Sequence, residues 1–213
     1  MELNYILLIT GGIVAYLLGS ISFSVWIGRI FHGIDVREKG SGNAGATNTI
    51  RVLGLRTGII VLLLDTFKAW FSVQLAPLFA HGSLEVFQLI NYSIALGALA
   101  VLGHVFPLYT GFRGGKGVAS LVGVVIALYP YAFLAVLLWF IFVFVLTRYV
   151  SLSSITSAVL FPFLVILIFH EKSLSLVILS VFIAVFIPVT HRKNIKRLLK
   201  GEELKMSFRK NQG

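Results

Sequence analysis

The sequence predicts an all-α polytopic membrane protein with seven transmembrane helices, two of them short, an N-terminus outside and a cytoplasmic C-terminus. Three observations carry that expectation. Hydrophobic residues make up 58% of the 213-residue chain and charged residues only 12%. The apolar residues fall in runs of helix-spanning length separated by short polar breaks, and lysine and arginine collect in alternate breaks. A soluble core could not bury so much apolar surface, and a backbone that crosses hydrocarbon must satisfy its own polar groups, which helices do.

The first run, residues 3–30, follows Glu2 rather than a basic segment and is too long for a signal-peptide core, so it is read as a retained span. Residues 58–80 and 87–109 are the second and third spans, each near the roughly 20 residues that cross a bilayer; the second contains Asp65 and Lys68. Residues 118–147 exceed one span, and Tyr129-Pro130 divides them into a short fourth helix and a fifth. Residues 152–169 and 174–189, parted by HEKS at 170–173, supply the sixth and the marginal seventh. Merging the last four into two gives five spans with the same sidedness.

Charge sets the sides. With seven spans and an external N-terminus, 16 of the 18 basic residues lie inside, including Arg29, Arg37, Arg51, Arg113, Lys116, Arg148 and the cluster from Arg192 to Lys210. Lys172 lies outside and Lys68 within a span, whereas Glu2, Glu85 and Glu171 are external. The net charge of +10 therefore reads as membrane topology rather than as a nucleic-acid surface. The chain is expected to be a single integral membrane domain over 1–213, with polar segments 31–57, 110–117 and 190–203 on the inner face. Zero cysteines exclude thiolate catalysis and disulfides, and His32, His81, His104, His170 and His191 are too scattered for a metal cluster. No cofactor is expected.

GSGNAGATNTIRVLG, residues 40–54, is richer in small and polar residues than a connecting loop requires. Gly40 and its fellow glycines permit close backbone approach, so successive amides can cup an anion, and Ser41, Asn43, Thr47 and Asn48 add neutral donors. Arg51 follows Asn48 by about one helical turn and can complete a phosphate site with a paired contact. The alternative is a plain turn with Thr47 or Asn48 capping the next helix.

Residues 114–120, GGKGVAS, precede an apolar helix, so Gly114, Gly115, Lys116 and Gly117 form a second candidate phosphate loop. A flexible basic turn facing lipid headgroups is its alternative. It is no nucleotide-binding P-loop, because Gly117 stands where a magnesium-binding hydroxyl would be needed. In THRKNIKRLLKGEE, residues 190–203, most cations suit anionic lipid, but His191 and Asn194 are spaced i, i+3 and share a helical face expected to meet the other two segments. Asp65 and Lys68 share the same spacing and can pair with each other or turn toward a polar interior, and His104 is a hydrogen-bonding residue near the inner end of the third span. No Ser-His-Asp set is evident, and no HxxxxD pair, since Tyr109, Ser175 and Lys196 stand five residues beyond His104, His170 and His191.

Taken together, AYLLGSIS, GSGNAGATNTIRVLG, Asp65 with Lys68, GHVFP with GGKGVA, RYVSLSSI at 148–155 and HRKNIKRLLKGEE resemble the bacterial acyl-phosphate-dependent glycerol-3-phosphate acyltransferases, the PlsY family. Arg113 stands where that family often has lysine, and Ala69 where glycine is common. The resemblance implies a multi-pass enzyme of the bacterial inner membrane with a cytoplasmic active site. Its substrates would be acyl phosphate and glycerol 3-phosphate, and its products lysophosphatidic acid and inorganic phosphate, in the first step of phospholipid synthesis. By motif matching, Ser41, Arg51, Lys116, His191 and Asn194 are the expected catalytic set. Gly40, Asn43, Thr47, Asn48, His104, Gly114, Gly115 and Gly117 are expected to bind substrate beside them. Direct attack without an acyl-enzyme is favoured, with the substrate's own phosphate as proton acceptor and His191 as the competing base. The rivals are a transporter of phosphorylated compounds and an acyl-CoA-dependent transferase.

Overall fold

The computed structural model describes residues 4–206, and every regular element among them is helical. Glu2, Arg209, Lys210 and the terminal SFRKNQG lie outside the described residues. Contacts group the chain into two compact units that meet in sequence at Leu128 and Tyr129.

The first unit holds α1 (Tyr5–Ser20), α2 (Phe23–His32), α3 (Ala46–Leu53), α4 (Leu55–Gln74), α5 (Ala76–Ala80), α6 (Val86–Val105) and α7 (Val118–Leu128). Asn4 caps α1 by accepting the Leu7 amide at 3.2 Å, and Glu85 with Gln88 forms a capping box on α6. The expected first span is a bent pair: α1 and α2 meet at 44° across Ile21 and Ser22. Such a break strands a carbonyl at membrane depth, and Lys68 resolves it by donating Nζ to the Ile21 oxygen at 2.6 Å. Lys68 is in turn paired with Asp65 at 2.7 Å, with side chains only 3% and 1% exposed.

Within this unit α1 packs chiefly on α6, and α4 on α7. A Cβ on Gly103 of α6 would collide with the backbone of Tyr16 and Ser20, so glycine there lets the two helices approach to backbone contact. Tyr16 and Tyr92 lock the pair from both ends, donating their hydroxyls to the Phe106 and Leu8 carbonyls at 2.8 Å each.

The second unit holds α8 (Pro130–Thr147), α9 (Val150–Phe163), a π-helical turn (Leu164–Ile168), α10 (Leu174–Thr190) and α11 (Arg192–Leu199). Tyr129-Pro130 begins α8 as the sequence predicts, because proline is pre-set for a first helical turn. Pro162 cannot donate to the preceding turn, and the helix widens into the π turn just beyond it. The Tyr129 hydroxyl donates to the Leu176 carbonyl at 2.6 Å, and α10 bends by 62° into α11.

Helices lie over every apolar run. Four stretches, 55–80, 86–110, 130–147 and 150–168, are long and apolar enough to cross a membrane, and the two bent pairs raise that to as many as six. The 11 residues of α7 extend about 16 Å at ~1.5 Å per residue, roughly half a hydrocarbon core. Large apolar side chains such as Ile6, Leu63, Leu138 and Leu146 are exposed, as lipid-facing positions require.

Candidate active site

The glycine-rich segment of the first unit is built around Asn48, which is 1% exposed. Its Oδ1 accepts the Ser41 amide at 2.7 Å and the Ser41 hydroxyl at 3.1 Å, while its Nδ2 donates to the Val36 and Lys39 carbonyls at 2.7 and 3.1 Å. The alternative of an Asn48 or Thr47 cap is not what forms: Gly45 occupies the cap position of α3, and both residues lie in the first helical turn. Asn48 instead ties the loop to itself across seven to twelve residues. Gly40 supplies the left-handed turn that this requires, with φ of 62° and no room for a Cβ beside the Asn48 oxygen. Ser41, Asn43 and Thr47 are half-buried around this post, and Arg51 projects half-buried from the last turn of α3.

The second loop runs from Gly111 to Gly117 and leads into α7. Two backbone bonds fold it onto the end of α6, Gly114 N–H to the Val105 carbonyl at 3.2 Å and Gly115 N–H to the His104 carbonyl at 3.1 Å. A Cβ on Gly115 would strike the His104 ring and the Ala44 carbonyl, so this position, next to Lys116, lies directly against the first loop. Lys116 is half-buried and Gly117 buried with a left-handed φ of 82°. The structure thus brings the Ala44 and Gly115 stretches together.

Beneath them His104 is 5% exposed and joins the Asp65–Lys68 pair: its Nδ1 lies 3.2 Å from Lys68 Nζ and 3.5 Å from Asp65 Oδ1. Nδ1 thus faces both members of the pair, while the Nε2 side of the ring lies against Gly115.

Asp35 and Arg37, which lie just before the glycine-rich motif and in no motif of their own, bracket the two loops. Arg37 grips the Asp35 carboxylate through Nε and Nη2 and donates Nη1 to the Thr110 and Arg113 carbonyls at 2.8 and 3.1 Å. Asp35 also accepts Arg29 Nη2 at 2.8 Å. The Arg37 hydrogen bond is the chief cause that holds the Asp35 carboxyl down at about 2, and the carboxylate raises the Arg37 pKa in return. A polar cavity of about 600 Å³ opens here, lined by Arg29, Asp35, Arg37, Gly42, Arg113 and Gly114.

In the second unit His191 and Asn194 occupy the junction of α10 and α11, each 4% exposed. His191 Nδ1 donates to the Ile187 carbonyl at 2.8 Å, which leaves Nε2 as the acceptor nitrogen of the neutral ring. Asn194 Nδ2 donates to Glu203 Oε1 at 2.7 Å, which also accepts the Ser151 hydroxyl at 2.8 Å, and Arg197 Nε meets Glu203 Oε2 at 3.0 Å. Glu203 was missed in the sequence because its partners depend on Gly201, whose left-handed φ of 70° turns the chain back onto α11. Two acidic residues directly after a cationic helix and a glycine were the available signal. Among the described residues no group of three His, Asp or Glu side chains could hold a metal ion.

The geometry offers cations and backbone amides in the first unit, and an oriented imidazole with a fixed amide in the second. Residues 9–201 match the family model described as glycerol-3-phosphate acyltransferase. The glycerol-3-phosphate acyltransferase of Fusobacterium nucleatum is 43% identical over 197 residues, covering 92% of this chain and 96% of that protein. The one from Listeria monocytogenes serovar 1/2a is 42% identical over 208 residues, covering 98% and 100%. The crystal structure of PlsY (YgiH), an integral membrane glycerol 3-phosphate acyltransferase, in its glycerol 3-phosphate form matches with a TM-score of 0.83 at 36% identity, covering 94% of this chain and 96% of that one. Its lysophosphatidic acid form matches at 0.80 and 35% with the same coverage.

Proposed function

The chain belongs to the glycerol-3-phosphate acyltransferase family, and from that premise we propose that it acylates the 1-hydroxyl of glycerol 3-phosphate with an acyl phosphate, in the first step of phospholipid synthesis. The observation that carries this reading is the 0.83 TM-score, at 36% identity, with PlsY in its glycerol 3-phosphate form. The wider reading is one integral membrane domain of seven spans in a bacterial inner membrane, with an external N-terminus and its chemistry on the cytoplasmic face. The basic residues concentrated in alternate breaks support that sidedness.

In the proposed reaction the 1-hydroxyl oxygen attacks the acyl carbonyl carbon, and the bond from that carbon to the phosphate oxygen breaks. The hydroxyl proton passes to the departing phosphate, so no acyl-enzyme forms and no cofactor is used. Arg51, Lys116 and the Gly117 end of the second loop hold phosphate and offset charge developing on the carbonyl oxygen; the Gly114 and Gly115 amides, expected as donors, instead donate to the Val105 and His104 carbonyls and fix the loop's path. Asn43 and Thr47 add neutral donors, while Ser41, whose amide and hydroxyl both donate to Asn48, offers its hydroxyl oxygen as an acceptor; Gly40 and Asn48 shape their loop and His104 supports Gly115 from below. His191 and Asn194 orient glycerol 3-phosphate. The Nδ1–H to Ile187 contact supports a ligand role for His191, since a backbone carbonyl stabilises an imidazolium less than a carboxylate does.

The test supplies detergent-purified protein with glycerol 3-phosphate and either a long-chain acyl phosphate or the matching acyl-CoA. Lysophosphatidic acid and inorganic phosphate should form with acyl phosphate alone. Turnover with acyl-CoA and none with acyl phosphate would overturn the donor assignment.

A further inference from the structure

Resting on the reaction proposed above, we infer that Arg37, aimed by Asp35, is a positioning residue that clasps the Ser41-bearing loop to the Lys116-bearing loop. Residues 39–45 and 111–117 form neither helix nor strand, so side chains must impose their placement. Arg37 does so with one planar group. Nε and Nη2 reach the Asp35 carboxylate at 3.1 and 2.8 Å, while Nη1 crosses to the Thr110 and Arg113 carbonyls. Asp35 is fixed in turn by the Arg37 amide at 3.0 Å and by Arg29 at 2.8 Å.

On its other side the clasp continues through the backbone. Val36, the neighbour of Arg37, gives its carbonyl to Asn48, and Asn48 holds Ser41. One run of hydrogen bonds therefore extends from Ser41 to Arg113, three residues before Lys116. The clasp needs a fork: a lysine ammonium is a single point and cannot span a carboxylate and two carbonyls at once. The 600 Å³ cavity beside it leaves room for a small cation to enter if the side chain is removed.

The experiment measures lysophosphatidic acid formation by R37A, R37K and D35N, with thermal unfolding followed on the same samples. Misplacement of reacting groups costs rate more than affinity, so R37A should lose kcat by roughly 10- to 100-fold with KM for both substrates within about threefold. Millimolar guanidinium should restore part of the R37A rate and leave wild type and R37K unchanged. R37K should stay close to R37A. If R37A does not fold, D35N reads the same question, since it keeps the guanidinium but blunts the group that aims it; kcat should fall about three- to tenfold. A folded R37A within about threefold of wild type, a loss confined to KM, recovery in R37K, or an unchanged kcat in D35N would each overturn the clasp. Absence of turnover in wild type would instead defeat the proposed reaction, so the two failures are distinguishable.

Discussion

The amide of Asn194 donates to Glu203 Oε1 at 2.7 Å, so the side chain expected to orient a substrate is itself oriented by a buried carboxylate. Ser151 and Arg197 share that carboxylate, which makes Glu203 the common anchor of α9, α11 and the turn at Gly201. Replacing it by alanine leaves three polar groups short of a partner. E203A should lose about 1–3 kcal/mol of stability together with most activity. E203Q keeps an acceptor for Asn194 and should retain more of both. Thermal unfolding and kcat/KM on the same preparations check this; an E203A protein with wild-type stability and turnover would refute the anchoring role.

Lys68 serves the Ile21 carbonyl, Asp65 and His104 at once. K68M should therefore destabilise the protein by about 3–5 kcal/mol, because it leaves an uncompensated carboxylate and an open carbonyl at membrane depth. Removing the carboxylate as well, in D65N/K68M, should recover part of that loss. The double-mutant cycle measures it through unfolding midpoints in one detergent. Additive losses would show that the two side chains do not depend on each other.

These two cases also show what the sequence made legible. The i, i+3 spacing of Asp65 and Lys68 made pairing one of two readable outcomes, since helical geometry places them on one face, and pairing is the one that forms. It could not foretell that Lys68 also caps a broken helix, because Ile21 lies 47 residues away and only the packing of α1 and α2 against α4 creates the contact. Apolar length likewise located the helices, yet the bend at Ile21–Ser22 depends on tertiary compensation by Lys68, a contact that apolar length cannot show. At the site, the polar segments were readable from glycine content and side-chain chemistry. Asn48 was not: as a residue type it suited a helix cap, and its role across 36–48 appears only once the loop closes.

Asp35 gives a pH signature. Its carboxyl is held at about 2, against an ordinary 3.8, chiefly by the hydrogen bond from Arg37. The folded state thus takes up its proton less readily than the unfolded chain, so Asp35 stabilises the fold fully above about pH 5. That contribution shrinks as pH falls through 3.8 and is spent near 2. D35N should be less stable than wild type at neutral pH, and the two should converge between about pH 4 and 2 in denaturant titrations. A gap that stays constant over that window would contradict the assignment.

His191 offers the sharpest mechanistic division. With Nδ1–H committed to the Ile187 carbonyl at 2.8 Å, the neutral ring presents Nε2 as an acceptor, which fits both a ligand for a glycerol hydroxyl and a base. The two roles differ in what they ask of the backbone contact. A base becomes imidazolium in the transition state and profits from a negative partner at Nδ1, whereas a ligand needs only a fixed direction, which a carbonyl provides. The phosphate that leaves when the acyl carbon–oxygen bond breaks can also take the proton. H191Q, whose amide reaches toward the Nε2 position and cannot titrate, should therefore raise KM for glycerol 3-phosphate by about tenfold or more while keeping most of kcat. Its kcat should also show no new dependence between pH 5.5 and 8, the range in which an ordinary histidine with a pKa near 6.5 changes charge. Collapse of kcat by about 100-fold or more with glycerol 3-phosphate affinity intact would instead make His191 the base.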